Sequence, residues 1–164
     1  MKIKLKELKM EDAKEILKAL KETDFAHNRM TSDITLQEEK AWLKKAIKKT
    51  NQEITYEYKI TYKDKFLGII SLRINQDKKY LGDVGYWIRK SEQGKGFATE
   101  ATKQIVKKAK RLKLSGLTAI ADPKNLASRK VLAKNGFSEI GLLKKHIKVK
   151  GKLKDRFFYW KILS

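Results

Sequence analysis

The sequence contains no cysteine and a single proline, Pro123. Without thiols there can be no disulfide, no thiolate metal site and no covalent intermediate on an enzyme sulfur. The absence also fits a reducing, cytoplasmic environment. His27 and His146 are the only histidines, so we expect no metal site. No apolar run reaches about 18 residues and the first residues alternate, so we expect neither a membrane span nor a signal peptide.

Acidic residues are scarce relative to basic ones. The 164 residues include 40 Lys and Arg but only 19 Asp and Glu, which gives a formal net charge of +21. Such a field favours anionic partners such as RNA and disfavours free polyamines as substrates. The lysines are spread over the whole chain. A solvated surface of compositional origin therefore explains them as well as contact with RNA or the ribosome does.

Length and a hydrophobic content of 41% predict one domain over residues 1–164. Apolar periodicity predicts the order β-α-α-β-β-β-α-β-α-β-β. Strands are predicted within 2–7, 54–62, 66–74, 79–89, 117–121, 137–149 and 153–163. Helices are predicted within 10–23, after a capping pair at Thr35 and Glu38, within 97–112 and within 125–135. The fold class is α/β (α+β): a mixed sheet of about seven strands with about four helices on its two faces.

A glycine-rich turn connects the strand predicted within 79–89 to the helix predicted within 97–112. It reads Gln93-Gly94-Lys95-Gly96-Phe97-Ala98. Glycines at a helix start allow backbone N–H groups to approach a phosphate, and the helix dipole adds positive potential there. The sequence lacks the G-x-x-x-x-G-K-[ST] of a P-loop. Thr99 stands where a dinucleotide fingerprint needs its third small residue. A pyrophosphate group is the expected ligand.

A second stretch follows one strand later, from Asn125 through Ser128 to Gly136-Phe137. With the strand Val84–Ile88 and the glycine turn, it resembles the GNAT (Gcn5-related N-acetyltransferase) superfamily. The turn resembles the pattern [QR]-x-x-G-x-[GA], and the second stretch resembles the N-x-x-[SA]…G-F helix. The resemblance points to the branch of ribosomal-protein N-terminal (Rim-type) and spermidine acetyltransferases, and it covers most of the chain.

The resemblance implies acetyl-CoA as the acetyl donor and a mostly antiparallel sheet with a splayed central pair of strands. The pantetheine arm would lie between these strands, and a strand N–H near Ile88 would stabilise the oxyanion. The cofactor-binding residues that the resemblance implies are Trp87, Ile88, Arg89, Gln93, Gly94, Lys95, Gly96, Phe97, Ala98, Asn125, Ser128 and Lys130.

The residues at the positions of the general acid and the general base differ from those usual in the superfamily. Many members of the superfamily carry a tyrosine proton donor at the position of Leu132, so Ser128 is the candidate acid here. Asp83 stands where relatives often have a glutamate, and it is the candidate base. The alternatives for the base are His27, His146, Glu57 and Glu139.

The acceptor is expected to be a primary amine. The superfamily shapes its acceptor site between the first two helices, which makes Phe25, His27, Asn28 and Arg29 substrate-binding candidates. Without an obvious strong base, a protein N-terminal α-amine, such as that of a ribosomal protein, is favoured over lysine because its pKa is about 7.7–8.0 rather than about 10.4. Two alternatives stay open: an acetyltransferase of a small-molecule amine (an amino sugar, an antibiotic or a polyamine), and a non-catalytic basic module of the same fold that binds RNA or the ribosome. We expect a monomer or a homodimer.

Overall fold

The computed structural model describes residues 2–23 and 33–164. The strands are β1 (Lys4–Glu7), β2 (Thr55–Tyr62), β3 (Lys65–Ile74), β4 (Leu81–Ile88), β5 (Gly116–Ala121), β6 (Ser138–Val149) and β7 (Lys152–Ile162). The helices are α1 (Ala13–Lys21), α2 (Leu36–Asn51), α3 (Phe97–Arg111) and α4 (Leu126–Lys134). The element order is the one that the sequence predicts. The strand ends differ by one or two residues, and a short 3₁₀ turn, Met10–Asp12, precedes α1.

The seven strands form one sheet in the order β1-β2-β3-β4-β5-β7-β6. Neighbouring strands are antiparallel except β4 and β5, which are parallel. Parallel neighbours require a crossover, and α3 supplies it. This arrangement confirms the predicted fold class, a mostly antiparallel mixed sheet with a splayed central pair.

Each face of the sheet packs against its own pair of helices. Side chains of β2–β5 and β7, including Ile70 and Leu117, form one core with α3 and with Leu132 of α4. On the other face Phe66, Ile69 and Trp87 pack against α1 and α2. The alternation of strand side chains therefore divides the molecule into two cores separated by the sheet.

The capping pair predicted at the start of α2 is present. The Glu38 N–H donates to Thr35 Oγ1 at 3.2 Å, and the Thr35 N–H donates to Glu38 Oε2 at 2.7 Å. These hydrogen bonds satisfy N–H groups that a helix end otherwise leaves without acceptors, so the sequence sets this boundary locally. Among the described helices, none combines the length and the apolarity that a bilayer crossing requires.

Candidate active site

A cleft opens where β4 and β5 separate. The two strands pair only over Leu81–Asp83 with Gly116–Thr118, and the rest of β4 is left without its parallel neighbour. The cleft has a volume of about 530 Å³. Its walls come from the end of β4, the glycine turn, the start of α3 and α4. The lining residues are Thr23, Tyr86, Trp87, Ile88, Glu92, Gln93, Gly94, Gly96, Phe97, Ala98, Thr99, Asn125, Ala127, Ser128, Lys130, Val131 and Lys134.

The glycine turn places a helix N-terminus on this cleft. Gly94 and Gly96 have φ angles of 76° and 82°, which side chains other than glycine rarely adopt. Gly96 is the N-cap of α3, and its carbonyl accepts the N–H of Glu100 at 3.1 Å. The N–H groups of the first helical turn, which includes Phe97 and Ala98, are therefore left for a ligand. Such a helix end suits an anion.

The end of β4 presents backbone groups to the same cleft. The Arg89 N–H donates to the Leu67 carbonyl of β3 at 2.8 Å. Because hydrogen-bonding directions alternate along a strand, the backbone of Ile88 points away from β3 and toward the cleft. The Ile88 carbonyl accepts the side-chain amide of Gln93 at 2.9 Å. Gln93 thus fixes the glycine turn against β4, and the Ile88 N–H is available at the cleft.

Two hydroxyl groups meet on the α4 side of the cleft. Asn125 caps α4 by accepting the Ser128 N–H at 3.0 Å. The Ser128 hydroxyl lies 3.0 Å from the Tyr86 hydroxyl, which also reaches the Ser128 carbonyl at 3.2 Å. Burial raises the pKa of Tyr86 to about 12, so its hydroxyl keeps its proton at neutral pH. The sequence predicted Ser128 here but gave no sign of its tyrosine partner.

Two predicted cofactor-binding residues do not line the cleft. The Arg89 guanidinium donates to Glu22 at 2.6 Å and to the Phe66 carbonyl at 3.3 Å. The Lys95 ammonium donates to Glu92 at 3.0 Å. Hydrogen bonds from Lys65 and Lys95 hold the pKa of Glu92 below its usual range. Both cations are therefore engaged with carboxylates, although their backbones adjoin the cleft.

The predicted base, Asp83, lies on β4 outside the cleft lining. Its Oδ2 accepts the Arg73 Nε at 3.1 Å and pairs with the Arg73 Nη2 as well. Its Oδ1 accepts the Thr118 hydroxyl at 3.0 Å. Both carboxylate oxygens are thus occupied by neighbours on β3 and β5. The role of Asp83 as a base stays a prediction.

The other sequence-predicted candidates take different places. Glu139 accepts the Tyr159 hydroxyl at 2.6 Å and the Arg129 guanidinium at 3.2 Å. His146 is exposed on β6. Leu132 is 1% exposed in the core, so this turn of α4 contributes no hydroxyl at that position. The acceptor candidates Phe25, His27, Asn28 and Arg29 lie outside the described residues.

The structure adds lining residues that the sequence did not single out. Tyr86, Lys134, Glu92 and Thr23 carry polar or ionisable groups, and Thr99, Ala127 and Val131 complete the wall. Lys134 lies one helical turn beyond Lys130, so the period of α4 could have indicated it. Within the described ranges, no cluster of three or more histidine or acidic side chains could hold a metal ion.

Comparison with known families decides the affiliation. A sequence model of the acetyltransferase (GNAT) domain matches residues 2–138. The chain belongs to the GNAT acetyltransferase family. The match spans both β4 with its glycine turn and the whole of α4, which are the parts that build the cleft.

A relative from Bacillus subtilis (strain 168), the probable N-acetyltransferase YjcK, is 36% identical over 94 residues. The alignment covers 56% of this chain and 52% of the relative, so it spans about half the length of that protein.

Two solved structures share the fold along nearly the whole chain. The microcin C7 self-immunity acetyltransferase MccE, in complex with acetyl-CoA and AMP, gives a TM-score of 0.91 at 20% identity, covering 98% of this chain and 92% of that chain. A Salmonella typhimurium acetyltransferase that modifies the N-terminal serine of ribosomal protein L7/L12 gives a TM-score of 0.90 at 17% identity. The superposition covers 99% of this chain and 95% of that chain. At these identities the likeness establishes the fold alone.

Proposed function

We propose that this chain, as one domain over residues 1–164, is an acetyl-CoA-dependent N-acetyltransferase. Its acceptor is a protein N-terminal α-amine, such as that of a ribosomal protein. The observation that carries the proposal is the cleft between β4 and β5, which joins a helix N-terminus, the free edge of a strand and a pair of hydroxyl groups in one 530 Å³ space.

The residues of the cleft suit acetyl-CoA. The glycine turn and the first turn of α3 form a cradle of backbone N–H groups for a pyrophosphate. Within residues 2–23 and 33–164, and apart from Gly94 and its chain neighbours, no atom lies within 4 Å of the place where a Cβ on Gly94 would stand, so the turn has open space beside its backbone. Lys130 and Lys134 add cations to the wall. The backbone of Ile88 would pair with the amides of a pantetheine arm.

Acetyl-CoA supplies an activated acetyl thioester, and the chain needs few side chains to use it. A strand N–H near Ile88, on the same free edge of β4, would donate to an oxygen that gains negative charge in the cleft. The hydroxyl of Ser128, held by Tyr86, is the candidate donor for a thiolate leaving group. A thiol is a fairly acidic leaving group, with a pKa of about 8.5 for cysteine, so a weak donor suffices.

The acceptor class rests on charge and on resemblance. An α-amine has a pKa of about 7.7–8.0, so a sizeable fraction is uncharged near neutrality. The net charge of +21 disfavours polycationic acceptors and favours encounter with an RNA-bound protein. A Salmonella enzyme of the same fold is described as acting on an N-terminal serine of a ribosomal protein. A cytoplasmic location fits this substrate and stays a prediction.

The test is the release of CoA, followed with a thiol reagent, from acetyl-CoA and a panel of amines. The panel contains a peptide with a free N-terminal serine, the same peptide with a blocked N-terminus and one lysine, a polyamine, an aminoglycoside and free amino acids. The chain has no cysteine, so it contributes no thiol background. We expect release with the free N-terminal peptide. Tight binding of acetyl-CoA without release from any amine would contradict the proposal and would favour a non-catalytic module.

A further inference from the structure

On the face of the sheet that packs against α1 and α2, polar residues lie side by side across three strands. The register places Glu57 of β2 opposite Ser71 of β3, and Ser71 opposite Gly85 of β4. Arg73 and Asp83 form the next pair along β3 and β4. We call these five residues the polar row. The sequence intervals between Glu57, Ser71 and Gly85 are long, so only strand pairing brings them together.

The polar row ends beside the cleft. Gly85 lies one residue before Tyr86 on β4, in the part of the strand that has no pairing with β5. Gly85 has no side chain, and the side chains of Ser71 and Arg73 occupy the space beside it. A Cβ there would be 3.3 Å from both Ser71 Oγ and Arg73 Nη2. An amine bound over this face would therefore lie against Ser71 and the Arg73–Asp83 ion pair, next to Tyr86 of the cleft.

Most charges on this face are already neutralised. Arg73 pairs with Asp83, and Lys59 pairs with Asp12 at 2.5 Å. Glu57 differs, because in residues 2–23 and 33–164 its carboxylate receives no hydrogen bond. Arg73 of β3 and Lys49 of α2 lower the pKa of Glu57 by their charge, but neither side chain contacts its carboxylate. The backbone N–H of Glu57 donates to Thr50 Oγ1 at 3.3 Å, which holds β2 against α2 at this position.

We propose that Glu57 is the general base: it takes the proton of the acceptor's α-ammonium through water molecules along the polar row. Asp83 is then a positioning residue that holds Arg73. The inference rests on the proposed transferase function. It also specifies the substrate class, because it favours α-amines over lysine side chains.

The proton balance is complete. The α-ammonium gives one proton to Glu57, and the free amine forms the N–C bond to the acetyl carbon while the C–S bond breaks. The nitrogen loses a second proton as the amide forms, and the thiolate gains one through the Ser128 side of the cleft. Glu57 returns its proton to solvent, so each turnover releases one proton.

The basicity of Glu57 suits this role. Burial raises its pKa to about 7, against the opposing effect of Arg73 and Lys49. Proton transfer to Glu57 from an α-ammonium, with a pKa of about 7.7–8.0, then costs little free energy. Proton transfer from a lysine ammonium, with a pKa of about 10.4, is unfavourable by roughly three pKa units. The base must be ionised, so activity should rise as the pH increases through about 7.

The test compares Glu57→Gln with Glu53→Gln, an exposed glutamate four residues earlier, on the free N-terminal serine peptide. We expect Glu57→Gln to lower kcat/KM by about 100-fold, the usual contribution of a general base. Its affinity for acetyl-CoA should be unchanged by calorimetry, and Glu53→Gln should match the wild type. The wild type should also acetylate this peptide faster than the blocked lysine peptide.

The pH profile of kcat/KM is measured with the free N-terminal serine peptide, because the proton that Glu57 takes comes from its α-ammonium. Without Glu57 the profile should follow the amine alone and rise only at about pH 7.7–8.0. The wild type should show a rise near pH 7 that Glu57→Gln lacks. Wild-type activity in Glu57→Gln, or a rise retained near pH 7, overturns the role of Glu57 and leaves the transferase function standing. Faster acetylation of the lysine peptide overturns the substrate preference. A wild type that binds acetyl-CoA but releases no CoA with any amine overturns both proposals.

Discussion

On one side of β4, the cleft offers backbone N–H groups from a single loop, residues 93–98, and the first turn of α3. On the other side, the polar row uses side chains from β2, β3 and β4. The conformation of the loop depends on its glycines and on helix geometry, which neighbouring residues determine. The arrangement of the polar row depends on strand register, which is set by residues far apart in the chain. The two halves of the site should therefore respond differently to substitution, and the following variants test that difference.

The largest effect in the cleft is expected for Gly96→Val. Gly96 has a φ of 82°, where a β-branched side chain is strained, so the loop should relax to another conformation. Re-forming the binding conformation costs about 1–3 kcal/mol, which weakens acetyl-CoA binding by roughly 5- to 150-fold. Calorimetric titration measures the change.

The matched control is Gly141→Val on β6, where a Cβ would meet no atom of the described part of the chain within 4 Å, its chain neighbours aside. It should leave the affinity unchanged, and circular dichroism should show both variants folded. An unaltered affinity in Gly96→Val would show that the loop does not hold the phosphates.

Ser128→Ala tests the hydroxyl pair on the same side. It removes the group that lies 3.0 Å from the Tyr86 hydroxyl, while Leu126–Lys134 and its Asn125 cap remain. We expect kcat to fall about tenfold, below the usual range for acid–base catalysis because a thiolate is an easy leaving group. Steady-state kinetics with acetyl-CoA and the serine peptide measure it.

Ser138→Ala, at the exposed start of β6, is the control. Tyr86→Phe tests whether the partner acts through Ser128, and the double variant should then be no slower than Ser128→Ala alone. If Ser128→Ala turns over at the wild-type rate, water supplies the proton.

The smallest effect is expected for Asp83→Asn on the acceptor side. This substitution weakens the ion pair between Asp83 and Arg73. The pair is half-exposed and contributes at most about 1 kcal/mol. We expect kcat/KM to fall roughly threefold, by the same factor at every pH. Asp77→Asn, in the exposed β3–β4 loop, should have no effect. A loss concentrated at low pH would instead make Asp83 the base, as the sequence predicts.

The cleft was the more predictable half because its signals are local. The glycine turn, the Asn125 cap and the Thr35–Glu38 pair each lie within a few residues of the atoms they contact. Their positions in the sequence therefore indicated their positions in the fold. The predictions for Arg89 and Lys95 were less complete, because their charged ends bind Glu22 and Glu92 instead of facing the cleft.

Periodicity, composition and short motifs determined the element order, the fold class, the family and the glycine turn. Each follows from interactions between residues close in the chain. Tertiary contacts decided the rest: strand pairing joined Glu57, Ser71 and Gly85 into one row. The packing of α4 beside β4 set the hydroxyls of Tyr86 and Ser128 at 3.0 Å although 42 residues separate them. Side-chain contacts of that range depend on register and burial, which no local pattern specifies.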